Sequence, residues 1–197
     1  MTPNEIIALA RIHFGEPNPL TISSTDELVL FNESMREIYS DLPSDRLKSL
    51  ISEDTVTITG DNRGPVDSSW DRVIEVYVND RPAIQAPKET IRNSELSSYF
   101  APAVPIFHVD EQYLWVRPHE TGDVVKAVYL SPPSTVVTGG RDTEITEIHE
   151  AFHEAVALLL ASYMYAQEED LVQAQHYKGE YVSVISNLSS RMAAGEA

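Results

Sequence analysis

The sequence predicts an α+β protein in which helices from both ends of the chain form one bundle and the middle forms an antiparallel β-rich insertion. Two observations lead to this fold class. Helical periodicity is found near both ends, and short alternating segments rich in β-branched residues lie between them. Because the strands are grouped instead of alternating with helices, the pattern argues against a βαβ fold. The predicted boundaries are 1–52 for the N-terminal helices, 53–137 for the insertion, 138–192 for the C-terminal helical region and 193–197 for a tail.

The composition narrows the classes of function. The 197 residues include 31 acidic and 14 basic side chains, a formal charge of −17, and no cysteine. Such an acidic surface repels phosphate backbones, which argues against ordinary nucleic-acid binding. The lack of cysteine excludes a disulfide framework and thiolate zinc sites. The N-terminal residues do not resemble a secretory signal, and the longest apolar run, Ala155–Ala161, is too short to span a bilayer. We therefore expect a soluble protein without a membrane partner.

Two helices are predicted near the N-terminus. The first covers residues 2–14, because Thr2 is a suitable N-cap, Pro3 fits the first helical position and Glu5 completes a capping box. The second starts at a further capping box, formed by Ser24 and Glu27, and its apolar spacing continues to about residue 40.

The middle of the chain predicts short strands. Alternation of β-branched and aromatic residues marks them. A stretch between them, Lys88–Phe100, fits a short helix. The predicted strands are Thr55–Thr59, Arg72–Asn79, Ile106–Val109, Tyr113–Arg117 and Val124–Leu130.

The C-terminal third contains the longest helical pattern. We expect Thr143 or Thr146 to cap it, and the acidic segment Gln167–Asp170 to bend it, leaving Leu171–Leu188 as an arm. Its apolar stripe identifies the main packing face of the bundle. The stripe consists of Ile145, Ile148, Phe152, Val156, Leu159 and Tyr163.

One motif in this helix carries chemistry. His149, Glu150 and His153 spell H-E-x-x-H, in which two histidines on one helix face hold zinc and the glutamate acts as general base. The extended form of the motif places a glycine and a third histidine where this chain has Val156 and Leu159. We therefore favour packed, structural histidines, no metal and no cofactor, with a zinc-dependent hydrolase as the competing hypothesis. A downstream carboxylate is the remaining candidate for a third ligand, at Glu168, Glu169 or Asp170.

The order and character of the elements resemble the bacteriophage head–tail adaptor (connector) proteins, which form rings beneath the portal. Four features carry the resemblance along most of the chain. They are the amphipathic helix Ser24–Tyr39, the segment RVIEVYVNDR at Arg72–Arg81, the run Tyr113–Pro118 followed by Val124–Pro133, and the closing helix that contains IHEAFHEAVALLLAS.

The resemblance implies assembly and no catalysis. Similar adaptors form rings of identical copies, typically dodecameric, in the virion neck, having been assembled in the host cytoplasm. Their partners are the portal protein, the tail or the next neck protein, and neighbouring copies. Genomic DNA passes through the channel without specific binding, and an acidic channel wall would suit that role.

The resemblance also suggests where contacts are made, because a C-terminal segment of such adaptors often docks on the portal. We expect the terminal residues 189–197, with the end of the last helix, to become ordered on contact with a partner. The candidate interface residues are Leu171, Tyr177, Tyr181, Val184, Ile185, Leu188, Arg191 and Met192.

Overall fold

The computed structural model describes residues 1–15, 22–59, 62–96, 104–117 and 123–193. The helices in these ranges are α1 (Pro3–Phe14), α2 (Ser24–Asp41), α3 (Lys88–Leu96), α4 (His153–Gln167) and α5 (Leu171–Ala193). The strands are β1 (Ile51–Val56), β2 (Arg63–Pro65), β3 (Arg72–Val78), β4 (Arg81–Pro82), β5 (Ile84–Gln85), β6 (Ile106–Val109), β7 (Tyr113–Arg117) and β8 (Val125–Leu130). No helix in the described part of the chain combines the length and the apolar character that crossing a membrane requires. The predicted tail lies outside the described residues, apart from Ala193, which ends α5.

The chain divides into two compact units. The helical unit comprises Met1–Ser49 and Pro133–Ala197, and the β unit comprises Leu50–Pro132. Helices from both ends of the chain therefore pack together in one unit, and the strands, which are contiguous in sequence, form the other. The predicted α+β class is confirmed.

Helix α4 is the centre of the helical unit. It packs against α1, α2 and α5, and its residues from Ala155 to Ser162 are all buried. The predicted stripe covered only one face, whereas a run of alanine and leucine that is apolar all round is typical of a helix enclosed by neighbours. Ile145 and Ile148 are buried as well, but they precede the helix.

The start of α4 differs from the prediction. Neither Thr143 nor Thr146 caps it. Residues 133–149 form an irregular segment with a 3-10 turn at Thr138–Gly140, a second 3-10 turn follows at Glu150–Phe152, and α4 begins only at His153. The predicted bend at Gln167–Asp170 is confirmed, since α4 ends at Gln167 and Glu169 adopts a left-handed φ of 62° before α5.

The N-terminus of α1 follows the prediction. The Thr2 side chain accepts a hydrogen bond from the Glu5 backbone amide, and the Glu5 carboxylate accepts one from the Thr2 amide at 2.8 Å. The helix ends at Gly15, whose φ of 79° suits a residue without Cβ.

The cap of α2 lies one residue earlier than predicted. Ser23, not Ser24, is the N-cap, and its hydroxyl accepts from the Asp26 amide. Glu27, assigned to a capping box by the sequence, is instead buried and forms an ion pair with Arg11 of α1. A contact between helices thus replaces the predicted local one.

The described residues of the β unit form two four-stranded sheets. One has the order β1-β8-β3-β4 and is antiparallel throughout. The other has the order β2-β7-β6-β5, in which β5 and β6 are parallel. The sequence predicted an antiparallel sheet and no parallel pair. Both sheets contribute to one core, which consists of Val56, Val76, Val78, Phe107, Leu114, Val116, Val125 and Ala127.

The first strand is displaced from its predicted position. β1 covers Ile51–Val56, where Thr55–Thr59 was predicted, because it pairs residue by residue with β8. Its acidic middle is held by tertiary contacts, in which Asp54 accepts hydrogen bonds from Trp70 Nε1 at 3.0 Å and the Tyr129 hydroxyl at 2.8 Å.

Three short strands, β2, β4 and β5, were not predicted. In β2 the absence of a side chain is required at Gly64, since a Cβ there would lie 2.5 Å from Val56 Cγ1. The predicted strands over β3, β6, β7 and β8 are confirmed to within one residue at each end.

Candidate functional site

The C-terminal helix α5 is the element on which the sequence placed an interaction surface. The three residues between α4 and α5 make the two helices antiparallel neighbours. With 23 residues α5 is about 35 Å long, whereas the 15-residue α4 is about 22 Å long. The far end of α5 therefore extends past α4 and reaches the 3-10 turn that precedes it.

The face of α5 that packs on α4 becomes less covered along the helix. Ala174 and Tyr181 on this face are buried, and Ser162 of α4 donates a hydrogen bond to the Ala174 carbonyl at 2.8 Å. The residues that continue the same line are only half-buried. They are Val184, Ile185 and Leu188.

A polar cluster fixes the middle of α5. Lys178 and the Tyr163 hydroxyl both donate to the Glu37 carboxylate, and the Tyr181 hydroxyl donates to Asp41 Oδ2 at 2.5 Å. Burial by itself would raise the pKa of Glu37, but the hydrogen bonds from Lys178 and Tyr163 outweigh it and lower that pKa. Burial and the hydrogen bond to Asp41 raise the pKa of Tyr181. These contacts join α4 and α5 to the last turns of α2.

A second cluster fixes the start of α5 against the end of α1. The rings of Tyr165 and Tyr177 are stacked with centroids 5.4 Å apart. The Tyr177 hydroxyl donates to the His13 carbonyl at 2.8 Å, and the Tyr165 hydroxyl donates to the Phe14 carbonyl at 3.1 Å. The two tyrosines thereby satisfy carbonyl groups that the last turn of a helix leaves unpaired.

The predicted interface residues do not share one face. Tyr181 is only 1% exposed, and Tyr177 is half-buried and bonded to α1, so both contribute to the interior of the helical unit. Leu171 and Arg191 are exposed. Val184, Ile185 and Leu188 lie on the inner, partly covered face, and the side chain of Met192 lies outside the described residues.

The H-E-x-x-H residues do not form the helical pair that the zinc hypothesis requires. His149 precedes the helix with an extended backbone (φ −60°, ψ 140°), and its Nδ1 accepts from the Ala151 amide at 3.2 Å. His153 is the first residue of α4 and is buried, with Nδ1 3.3 Å from the amino group of Met1. Burial, followed by the charge of that amino group, lowers the pKa of His153. Among the residues with described positions, no three His, Asp or Glu side chains lie close enough together to hold a metal ion.

The β unit has a concave patch of its own. A cavity of about 440 Å³ is lined by side chains of β2, α3, the β6–β7 turn and β7. There Asp110 accepts hydrogen bonds from Lys88 Nζ at 2.5 Å and Trp115 Nε1 at 3.0 Å. Burial would raise the pKa of Asp110, but these bonds lower it well below its usual range. The ion pair therefore ties the start of α3 to the β6–β7 turn.

Comparison with known proteins identifies the family. No curated protein is similar enough to the chain to count as a match. A family model described as "SU10 adaptor protein" matches residues 1–196, which covers both units. The resemblance inferred from the order of elements is thereby confirmed. The chain belongs to the SU10 adaptor proteins, a family of phage head–tail adaptors, and is a structural component of the head–tail region of a virion.

Proposed function

We propose that the chain forms a ring of identical copies beneath the portal, joins the head to the tail or to the next neck protein, and continues the channel through which the genome passes. The family match over residues 1–196 is the observation that carries this proposal, because head–tail adaptors join successive components of the virion. Ring assembly would take place in the host cytoplasm, and the chain would catalyse no reaction.

The end of α5 is our candidate for the portal contact. The inner face of this helix is fully covered at Tyr181 but only half-covered at Ile185 and Leu188. The apolar face of α5 continues beyond the part of the helix that α4 covers. An amphipathic helix of this kind suits insertion into a hydrophobic groove of another protein. We therefore assign the portal contact to the last three turns of α5.

The charge of the chain supports a channel role. At −17 per copy, the surface repels the phosphate backbone. A channel wall of this kind allows DNA to slide without adhering, and no sequence-specific contact is needed.

Imaging of the protein mixed with the portal of the same virus tests the proposal. We expect negative-stain images to show ring-shaped density on one end of the portal. The double variant Ile185→Glu with Leu188→Glu should lose this density, because charges cannot enter an apolar groove, while thermal denaturation shows that the helical unit is still folded.

Asn187→Glu is the matched control, since it adds a charge at an exposed position on the same turn of α5. It should bind the portal like the unaltered chain. Full attachment of the double variant would remove α5 as the portal contact, and absence of any density for the unaltered chain would remove the ring proposal.

A further inference from the structure

Strand β1 lies at the edge of its sheet and differs from the other edge strands of the β unit. The other three, β2, β4 and β5, have only two or three residues each, and two of them contain a proline, Pro65 or Pro82. Short length and proline are means by which proteins keep sheet edges from pairing with foreign strands. β1 has six residues, pairs with β8 without a bulge, and contains no proline and no lysine. Among the described residues it is therefore the edge strand best suited to further pairing.

The register of β1 with β8 determines where its backbone groups point. The Leu50 carbonyl accepts a hydrogen bond from the Ser131 amide at 3.0 Å, and opposite residues of an antiparallel ladder alternate between bonded and non-bonded pairs. The non-bonded positions are therefore Ile51, Glu53 and Thr55, whose N–H and C=O groups point away from β8. Within the described parts of the chain no hydrogen bond reaches these groups, and all three residues are exposed. We call this line of backbone groups the open edge of β1.

The open edge matches one class of ligand, an extended peptide segment. Its N–H and C=O groups recur at every second residue, about 6.8 Å apart, and the groups of another strand recur at the same spacing. A helix cannot pair with them, because its own backbone groups are bonded internally. In recognition by strand addition, backbone hydrogen bonds supply affinity and alternate side chains supply specificity.

Glu53 determines which charge such a segment should carry. Its side chain is 54% exposed at the edge and lies 3.5 Å from Lys126 Nζ. The neighbouring Asp54 is turned to the other face of the sheet, where Trp70 and Tyr129 bond it. A second β1 strand paired about Glu53 would bring two carboxylates together, and the charge of −17 per copy opposes that pairing further. Lysine or arginine opposite Glu53 would instead be attracted.

We propose that the open edge of β1 binds an extended segment of the next neck protein on the tail side, with a lysine or arginine of that segment opposite Glu53. The inference rests on the proposed function, which assigns the portal contact to α5 and gives the tail-side partner no surface. It deepens that function by naming the surface and the chemistry of the contact, which is an added strand.

Amide hydrogen exchange of the full-length chain tests the proposal, measured alone and after mixing with the tail-side neck protein of the same virus. In the free chain the amides of Ile51, Glu53 and Thr55 should exchange rapidly, because no hydrogen bond holds them. In the complex they should exchange at least about tenfold more slowly. The amides of Ser52 and Asp54, which face β8, are the internal reference and should exchange slowly in both samples.

Variants at the open edge test the same contact by affinity. Thr55→Pro removes an outward N–H and no hydrogen bond to β8, so it should weaken binding at least about tenfold while the melting temperature changes little. Thr55→Val is the matched control, since it keeps the N–H and should bind like the unaltered chain. Glu53→Lys should weaken binding about threefold or more, because like charges would then face each other. This second variant tests the proposal independently of any effect of proline on the strand.

Three results would overturn the inference and leave the proposed function standing. They are a complex in which exchange at the open edge is not slowed, slow exchange there in the free chain, and tighter binding by Glu53→Lys. A chain that binds the portal but not the tail-side neck protein would also refute the inference alone. If the chain binds neither protein, the proposed function fails, and the inference fails with it.

Discussion

Arg11 and Glu27 show how much a single pair of side chains contributes to the helical unit. Their side chains are 7% and 5% exposed, and they connect α1 with α2. Arg11 also donates to the Ile22 carbonyl at 3.3 Å. A buried ion pair adds little net stability compared with a well-packed apolar pair, but removal of one partner leaves an uncompensated charge in the interior.

Glu27→Leu should therefore destabilise the chain by about 3–5 kcal/mol, measured as the change in unfolding free energy in urea. The double variant Arg11→Met with Glu27→Leu should recover most of that loss, because no buried charge remains unpaired. A double variant as unstable as the single one would contradict this account of the pair.

The same two residues explain why the cap of α2 was predicted one position late. Both Ser23 and Ser24 are followed three residues later by an acidic residue, so the local pattern fits either register. The structure selects Ser23 because Glu27 is engaged by Arg11, which lies on another helix. A local sequence window contains no information about that partner.

At the scale of elements, the polar cluster that joins α5 to α2 makes the stability of the helical unit depend on pH. Hydrogen bonds from Lys178 and Tyr163 lower the pKa of Glu37 despite its burial. A carboxyl group whose pKa is lower in the folded than in the unfolded state stabilises the fold above its unfolded pKa. This contribution disappears as the pH falls through the folded pKa.

Glu37→Gln should therefore lower the melting temperature at pH 7, and its difference from the unaltered chain should shrink as the pH falls below about 4. Thermal denaturation followed by circular dichroism across this range measures both. The exposed Glu33, one turn earlier on α2, provides the control, since Glu33→Gln should leave the melting temperature nearly unchanged. A deficit for Glu37→Gln that is as large at pH 3 as at pH 7 would show that the carboxylate charge is not the cause.

The elements that the sequence predicted well are those with strong local signals. Helix α1 has a complete capping box, and β3, β6, β7 and β8 alternate clearly. Helix α4 was harder to place because its apolar residues continue upstream to Ile145, which is buried without being helical. For the same reason the sequence placed the whole H-E-x-x-H motif on a helix. The helix begins only at His153, the last residue of the motif, and the spacing of apolar residues does not reveal that start.

The sequence identified the helix that carries the candidate surface, but it did not show which face of that helix is exposed. The sequence included Tyr181 among the candidate interface residues, whereas the structure buries it and bonds its hydroxyl to Asp41. Which face of an amphipathic helix is covered depends on neighbours that are distant in sequence.

At the scale of the whole molecule, we expect charge to influence association. Each copy carries a formal charge of −17, so neighbouring copies in the proposed ring would repel each other through solvent. Contacts between copies must overcome this repulsion, and the surrounding salt determines how far it extends.

Self-association should therefore strengthen when NaCl is raised from about 0.1 M to about 1 M, because the Debye length falls from about 10 Å to about 3 Å. Sedimentation velocity at fixed protein concentration measures the shift toward larger species. Addition of sucrose at matched viscosity is the control and should have little effect. Weaker association at high salt would mean that ion pairs, and not uncharged surfaces, hold the copies together.

The α+β class and the family were accessible from the sequence because they depend on the order of elements. The division of the strands into two sheets was not accessible. Strands such as β4 and β5 have two residues each, and Pro82 lacks the amide hydrogen that a ladder uses. β4 pairs with β3, and β5 pairs with β6. In each pair only the longer strand has an alternating pattern that the sequence shows.

The central position of α4 has a consequence for how the protein is made. Helices α1 and α2 leave the ribosome about 110 residues before the helix on which they pack. At a synthesis rate of roughly 5–20 residues per second, they wait for roughly 5–20 seconds with their apolar faces uncovered. The β unit, being contiguous, can fold during that interval. The helical unit closes only when the chain is nearly finished, so translation itself delays the appearance of an assembly-competent subunit.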